Sequence, residues 1–134
     1  MNYKAGGVTI KEAAVKVLDE KDQELIEALE AVGVRRNVAT IIIYLKDLDE
    51  ATARDIEMGS ELRQPEVSIA MRTLRQKGWI AEREVKGTGK GRPMKLYRLT
   101  VSIDDIIGHY EEEKRNESSR AMQSIQRLKE ISAT

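Results

Sequence analysis

Residues 64–80, QPEVSIAMRTLRQKGWI, decide how this chain folds. The stretch reads as one helix with its own start, its own stop and two unlike faces. Pro65 suits a first helical turn, where the missing N–H is not needed. Gly78 suits the left-handed position just past a helix end. Val67, Ala70, Met71 and Leu74 recur at helical spacing, which predicts a stripe facing a core. The opposite face carries Gln64, Ser68, Arg72, Thr73 and Gln76, rich in hydrogen-bond donors, with Glu66 the one carboxylate close to it. Base edges and phosphates offer mainly acceptors plus a few amino donors, so a groove-reading helix needs such a face. An ordinary amphipathic helix with a solvated polar face has the same pattern, and the segments on either side separate the two.

Upstream, Thr52 followed by Asp55 predicts an N-terminal cap for a short helix carrying Ala53 and Ile56, with Gly59 at its end. A turn through 60–63 then delivers the helix at Pro65. Two short helices joined by a turn, the second with a polar face, make a helix-turn-helix. Downstream the period changes. Residues 79–86 alternate, as do residues 94–100, and between them lies the glycine-rich GTGKGRP, residues 87–93. Strand, glycine loop, strand predicts a β-hairpin. In that loop Lys90 and Arg92 stand between glycines that allow close approach to another surface. A narrow minor groove attracts an inserted arginine, which makes Arg92 the candidate for insertion and Lys90 the candidate for phosphate. The loop lacks Walker spacing and does not open a helix, so a nucleotide-phosphate cradle is a poorer reading.

Composition agrees with a single soluble domain. The chain has 134 residues, 40% hydrophobic and 34% charged, no cysteine and one histidine. That excludes disulfides, thiolate ligands and a Cys–His pair, and lone His109 gives no zinc set. No apolar run approaches a membrane span, and Lys11, Glu12 and Lys16 interrupt the early apolar stretch, so neither an anchor nor a signal peptide is expected. A cytoplasmic, non-enzymatic protein without cofactor or metal is the expectation. The net charge is zero, but it is unevenly spread: residues 60–99 hold ten Lys/Arg and four acids, net +6, and the remainder is net −6. Local field steers a polyanion more than total charge does.

Toward the N-terminus, Thr9 with Glu12 predicts a helix from near Ile10, and an apolar stripe continues to Gly33, with a possible break at 19–22. Val38, Ile41, Ile42, Leu45 and Leu48 define the next helix. From residue 101 a long helix is expected to about Lys129. Its apolar residues cluster at both ends, Ile103, Ile106, Ile107 and Tyr110, then Ala121, Met122, Ile125, Leu128 and Ile131, around a polar middle. Such a helix needs a partner surface for its apolar ends. Either a second copy supplies it or the monomer's own core does.

Helix-turn-helix followed by a hairpin is similar to the winged helix-turn-helix domain. The runs EATARDI (50–56), QPEVS (64–68), the Leu74…Gly78-Trp79-Ile80 ending and GKGRP (89–93) with Tyr97-Arg98-Leu99 resemble archaeal TrmB-like transcriptional regulators, with MarR and ArsR families as wider relatives. The resemblance covers residues 24–100. It implies a major-groove helix 65–77, with Gln64, Ser68, Ile69, Arg72 and Thr73 near base edges, and a wing 86–94 on the minor groove or backbone. It also implies phosphate contacts from Arg35 and Arg36, before the turn. Larger TrmB-type regulators carry a sugar-sensing domain for which this chain is too short, so that property is not carried over.

The sequence therefore predicts a mainly α fold with a small β-hairpin, a winged helix-turn-helix with extra N- and C-terminal helices. Residues 1–23 form an arm and helix, 24–100 the DNA-binding domain, and 101–134 a dimerisation helix. The expected DNA contacts are Arg35, Arg36, Arg63, Gln64, Ser68, Ile69, Arg72, Thr73, Gln76, Lys86, Lys90 and Arg92. The expected homodimer contacts are Ile103, Ile106, Ile107, Tyr110, Met122, Ile125 and Leu128. Two side chains stay ambiguous. Ile69 either touches a thymine methyl or packs inside, and Glu66 either favours the helix N-terminus or accepts from a cytosine amino group. The function expected is a sequence-specific regulator on double-stranded DNA. The alternative is a winged-helix module that docks protein in a transcription or remodelling assembly.

Overall fold

A computed structural model of the chain describes residues 16–86 and 93–134. These fall into two compact units that divide between Thr100 and Val101.

The first unit is built around a helix with no polar side. In order it contains α1 (Glu20–Ala31), α2 (Arg36–Leu45), β1 (Ala51–Thr52), α3 (Ala53–Ser60), α4 (Gln64–Lys77), β2 (Ile80–Val85) and β3 (Met94–Leu99). Every residue of α2 from Val38 to Leu45 is buried. A helix apolar all round must be covered on all sides, and α1, α3, α4 and β3 pack on it. The helix expected from Ile10 lies largely outside the described residues, and 16–19 are not helical. The possible break at 19–22 is a helix start: Asp19 accepts from the Asp22 N–H at 2.8 Å and Asp22 returns the bond to the Asp19 N–H at 3.0 Å. α1 then runs through residues 23 and 24, where the sequence suggested a boundary.

The turn between α3 and α4 departs from its expected form. Thr52 caps α3 with Asp55 as predicted, but Gly59 does not end it. The helix continues to Ser60, and Glu61 takes the left-handed position at φ 62°. Gly59 is required for a different reason. A Cβ there would stand 2.7 Å from Cζ and 2.8 Å from Oη of Tyr44, inside van der Waals contact with a fully buried ring on α2. The glycine lets α3 lie directly against that ring. The Ser60 hydroxyl donates back to the Ile56 carbonyl and accepts from the Leu62 N–H, which holds the turn.

Gly78 does what its position predicted. It is left-handed at φ 76°. Its N–H reaches the Arg75 carbonyl at 2.9 Å and the Trp79 N–H reaches the Leu74 carbonyl at 3.0 Å, the paired bonds of a Schellman ending. Trp79 leads straight into β2. The Thr100 N–H and hydroxyl bind the carbonyls of Trp79 and Gly78, each at 2.8 Å, which ties the foot of the hairpin to the end of α4. The sheet has three strands rather than the expected two. Its order is β1-β3-β2, all antiparallel. β1 adds Ala51 opposite Tyr97 and Thr52 opposite Leu96. Both Leu96 and Tyr97 are buried, because β3 lies centrally and is covered on both faces.

The second unit is α5 (Ile103–Ala133), 31 residues long. Ser102 caps it, accepting from the Asp105 N–H at 3.0 Å. From Glu111 onward every residue is exposed. Among the described residues no helix is long and apolar enough to cross a membrane.

Candidate nucleic-acid interface

The start of α4 is set by an exchange within its first turn. The Glu66 carboxylate accepts the Arg63 N–H at 2.8 Å. This accounts for the one acid near the polar face: it caps the helix, where a negative charge also meets the positive end of the helix dipole. Val67, Ala70, Met71 and Leu74 are buried, so core packing fixes which residues point outward. Gln64, Ser68, Arg72 and Gln76 follow one another at i, i+4 and form one outward row. Pro65, Ile69 and Thr73 form the row beside it. All are exposed except Thr73, which is half-buried. Ile69 points outward and is 55% exposed, which closes the packed-inside alternative. Between α3, α4 and β3 lies a cleft of about 260 Å³, lined in part by Glu57, Gln64, Ser68, Arg72, Arg75 and Tyr97.

The cations around this face fall into two groups. Arg75 donates to Glu82 on β2 at 3.1 and 3.3 Å, and Lys95 on β3 approaches the same carboxylate at 3.4 Å. Arg83 holds Glu50 through two bonds at 2.6 and 2.8 Å. Burial raises the Glu82 pKa, but Arg75 and Lys95 more than reverse this and hold it below the ordinary glutamate value. The Arg83 hydrogen bonds lower that of Glu50 against the opposing effect of burial. These three cations are largely spent on structure. Arg63 and Arg72 form no ion pair among the described residues and are exposed. Part of the +6 of residues 60–99 is thus neutralised in place; among the described residues Arg63 and Arg72 at α4, Lys86 after β2 and Arg98 on β3 stay exposed. Glu84, exposed on β2, opposes them.

Arg35 and Arg36 stand at the N-terminus of α2, which has no acid in its first turn. Cations are unfavourable there, and residues that break a local rule mark functional or strained sites. The two differ. Arg36 donates to Glu30 at 2.8 Å and Gln23 at 3.3 Å, both on α1, and so braces α1 against α2. Arg35 is exposed and makes no side-chain capping bond.

Lys86 is exposed at the end of β2. Lys90 and Arg92 lie outside the described residues, so the expected tip of the wing is not placed. The strands leading to it pair in register from Ile80 opposite Leu99 to Val85 opposite Met94. Missed in the sequence was Lys16, whose ammonium donates to the carbonyls of Ile43 at 2.9 Å and Tyr44 at 3.2 Å. It caps the C-terminal end of α2, where a cation suits the dipole. No local motif announces a cap 27 residues away in sequence.

On α5 the set of apolar residues divides. Ile106 and Tyr110 are buried, at 0% and 8% exposure, and Ile103 is half-buried. Ile107, Met122, Ile125, Leu128 and Ile131 are exposed. His109 is exposed, its ring edge-on to Tyr110 at 4.8 Å. Among the described residues no group of His, Asp or Glu is arranged to hold a metal ion.

By fold this is a winged helix-turn-helix protein, mainly helical with a small three-stranded antiparallel sheet. Among solved structures it is similar to TrmBL2, an archaeal chromatin protein whose structure shows a novel mode of DNA binding. The two share a TM-score of 0.63 at 18% identity, over 82% of this chain and 40% of that one. The chain therefore spans about two-fifths of the length of that protein. Weaker likenesses are to MepR, a transcription regulator of the Staphylococcus aureus multidrug efflux pump MepA (TM-score 0.47, 21% identity, 75% of this chain and 76% of that one). Another is NMB1585, a MarR family regulator from Neisseria meningitidis (TM-score 0.47, 15% identity, 81% and 83%). These are likenesses of fold. No protein-family model matches the sequence, and no curated protein matches it.

Proposed function

We propose that this chain is a sequence-specific double-stranded DNA-binding transcriptional regulator that acts as a homodimer. The observation that carries the reading is the outward face of α4. Two adjacent rows of side chains, Gln64-Ser68-Arg72-Gln76 and Ile69-Thr73, stand clear of the core. The one carboxylate on α4 itself, Glu66, is turned back to cap the helix. In this reading α4 enters the major groove, its hydrogen-bonding row meets base edges, and Arg63 and Arg35 meet phosphates on either side. Lys86, Lys90 and Arg92 carry the wing to the minor groove or backbone. The ion pairs of Arg75 and Arg83 fix the hairpin relative to α4 and are not expected to contact DNA. The fold shared with an archaeal chromatin protein supports the reading, and so does a 14-residue helix that is capped at both ends.

Dimerisation through α5 is part of the proposal. Ile107, Ala121 and Leu128 recur at intervals of seven or fourteen residues, with Ile125 between the last two, which is the a/d spacing of a helix-pairing seam. A regulator with one reading helix gains affinity and site length by pairing, with half-sites about 34 Å apart or a multiple of that. Repression or activation would follow from occupying an operator.

Selection from a random duplex library with the full chain, followed by sequencing, tests the reading. A recovered consensus with two related half-sites is the expected result. No enrichment at low salt would transfer the exposed face of α4 to the alternative role, a surface that docks protein.

A further inference from the structure

We infer that Ile69 reads the C5-methyl group of a thymine, and so sets the base preference at one position of each half-site. This rests on the DNA-binding reading above and adds to it a residue that discriminates without a hydrogen bond.

The placement of Ile69 is unusual for its chemistry. A β-branched aliphatic side chain stands 55% exposed beside a row made of two amides, a hydroxyl and a guanidinium. Val67, Ala70, Met71 and Leu74 occupy the inner face and are buried, and Ile69 lies outside that stripe. One turn further on, the Thr73 hydroxyl donates to the Ile69 carbonyl at 3.4 Å. That bond turns the polar atom of Thr73 toward the helix backbone. Pro65, Ile69 and Thr73 thus form an apolar row one step around the helix from the polar row Gln64-Ser68-Arg72-Gln76.

Two rows of unlike chemistry match two kinds of group in the major groove. Acceptors and amino donors on base edges suit the polar row. The one apolar group displayed there is the thymine methyl. Phosphate offers an aliphatic side chain nothing, so a face meant only to hold the backbone gains nothing from isoleucine at its centre. Contact with a methyl removes apolar surface from water on both sides. Because the methyl takes no part in base pairing, it can be removed with every hydrogen-bonding group of the base pair left in place.

The test replaces thymines by deoxyuridine, one at a time, in the duplex recovered by selection, and measures binding of the full chain. At one position in each half-site the wild type is expected to lose about fourfold in affinity, the worth of one buried methyl. Ile69→Ala should bind the thymine duplex several-fold more weakly and be indifferent to uracil at that same position. Ile69→Val should keep most of the discrimination. Thermal melting of both variants should match wild type, because the side chain is exposed, and so a loss of binding is not a loss of fold. Tolerance of uracil at every position overturns the inference while leaving DNA binding intact. So does a uracil effect that persists in Ile69→Ala, or an operator without thymine under α4. Failure to recover any duplex overturns the DNA-binding reading, and this inference with it.

Discussion

Arg83 on β2 grips both carboxylate oxygens of Glu50, at 2.6 and 2.8 Å, across 33 residues of chain. Glu50 precedes β1, the strand that precedes α3, so the pair pins the hairpin to the segment that launches the helix-turn-helix. The Arg83 hydrogen bonds hold the Glu50 carboxyl below the ordinary glutamate value, with burial opposing and the charges of Arg83 and Arg98 adding. A carboxyl whose pKa is lowered by folding stabilises the fold above its unfolded pKa, and that stabilisation is lost as pH falls through the lowered native value. Glu50→Gln should therefore lower the melting temperature at neutral pH, by an amount worth up to about 1 kcal/mol for a partly exposed pair. Melting curves from neutral to acidic pH should show the two proteins converging below the ordinary glutamate range. A gap that stays constant with pH would mean that Glu50 acts through packing and not through its charge.

Gly59→Ala should be disproportionately harmful for a substitution that normally favours a helix. The added carbon meets the ring of Tyr44, which is buried on α2 and has nowhere to move. Overpacking of this kind costs about 1–3 kcal/mol, against the gain of up to about 1 kcal/mol from helix propensity. Chemical denaturation measures the balance. Adding Tyr44→Phe should recover little, because Cζ remains in the way, whereas Tyr44→Leu should restore part of the loss.

What the sequence made legible, and what it did not, follows from the range of each interaction. α4 was readable end to end because its signals are local: Pro65 in its first turn, Gly78 just past its end and four apolar residues at helical spacing between them. The hairpin strands were readable from alternation. β1 was not, since two residues have no period, and its existence depends on Leu96 and Tyr97 arriving from 44 and 46 residues away. Gly59 was misread as a stop because a glycine that ends a helix and one that admits a neighbouring ring look the same without the ring. Ile69 and Glu66 were undecided for the same reason; each waited on which side of α4 the core would take. The count of basic residues overstated the open charge, because Glu50 and Glu82 reach Arg83, Arg75 and Lys95 only in three dimensions.

Leu128→Asp and Ile125→Asp should each convert a dimer into a monomer. Both side chains are exposed on α5, on the seam that the proposed pairing buries, and a carboxylate there would have to lose its water or break the pairing. Light scattering on a sizing column reads the outcome directly. The wild type should run at about twice the 15.2 kDa of one chain and each variant near one chain mass, with operator affinity reduced in step. A wild type of single-chain mass at micromolar concentration would contradict the dimer.

Arg35 and Arg36 are adjacent, yet they should behave differently. Arg35→Ala should weaken binding to all duplexes alike and reduce the slope of log affinity against log salt by about one, the mark of one lost phosphate contact. Arg36→Ala breaks the bonds to Glu30 and Gln23 and should appear as a loss of stability with a smaller change in slope. Equal slopes for Arg35→Ala and wild type would remove α2 from the interface.

The central claim is that α4 reads bases, and Arg72 tests it most directly. It is exposed in the middle of the polar row and has no ion pair among the described residues. The measurement is the affinity of wild type and Arg72→Ala for every single-base substitution of the selected operator at fixed salt. The account predicts a loss of about 1–3 kcal/mol on the parent operator and the disappearance of preference at one base pair per half-site, with the other positions still discriminated. An equal loss on every duplex, with all preferences intact, would contradict it and reduce Arg72 to a phosphate contact.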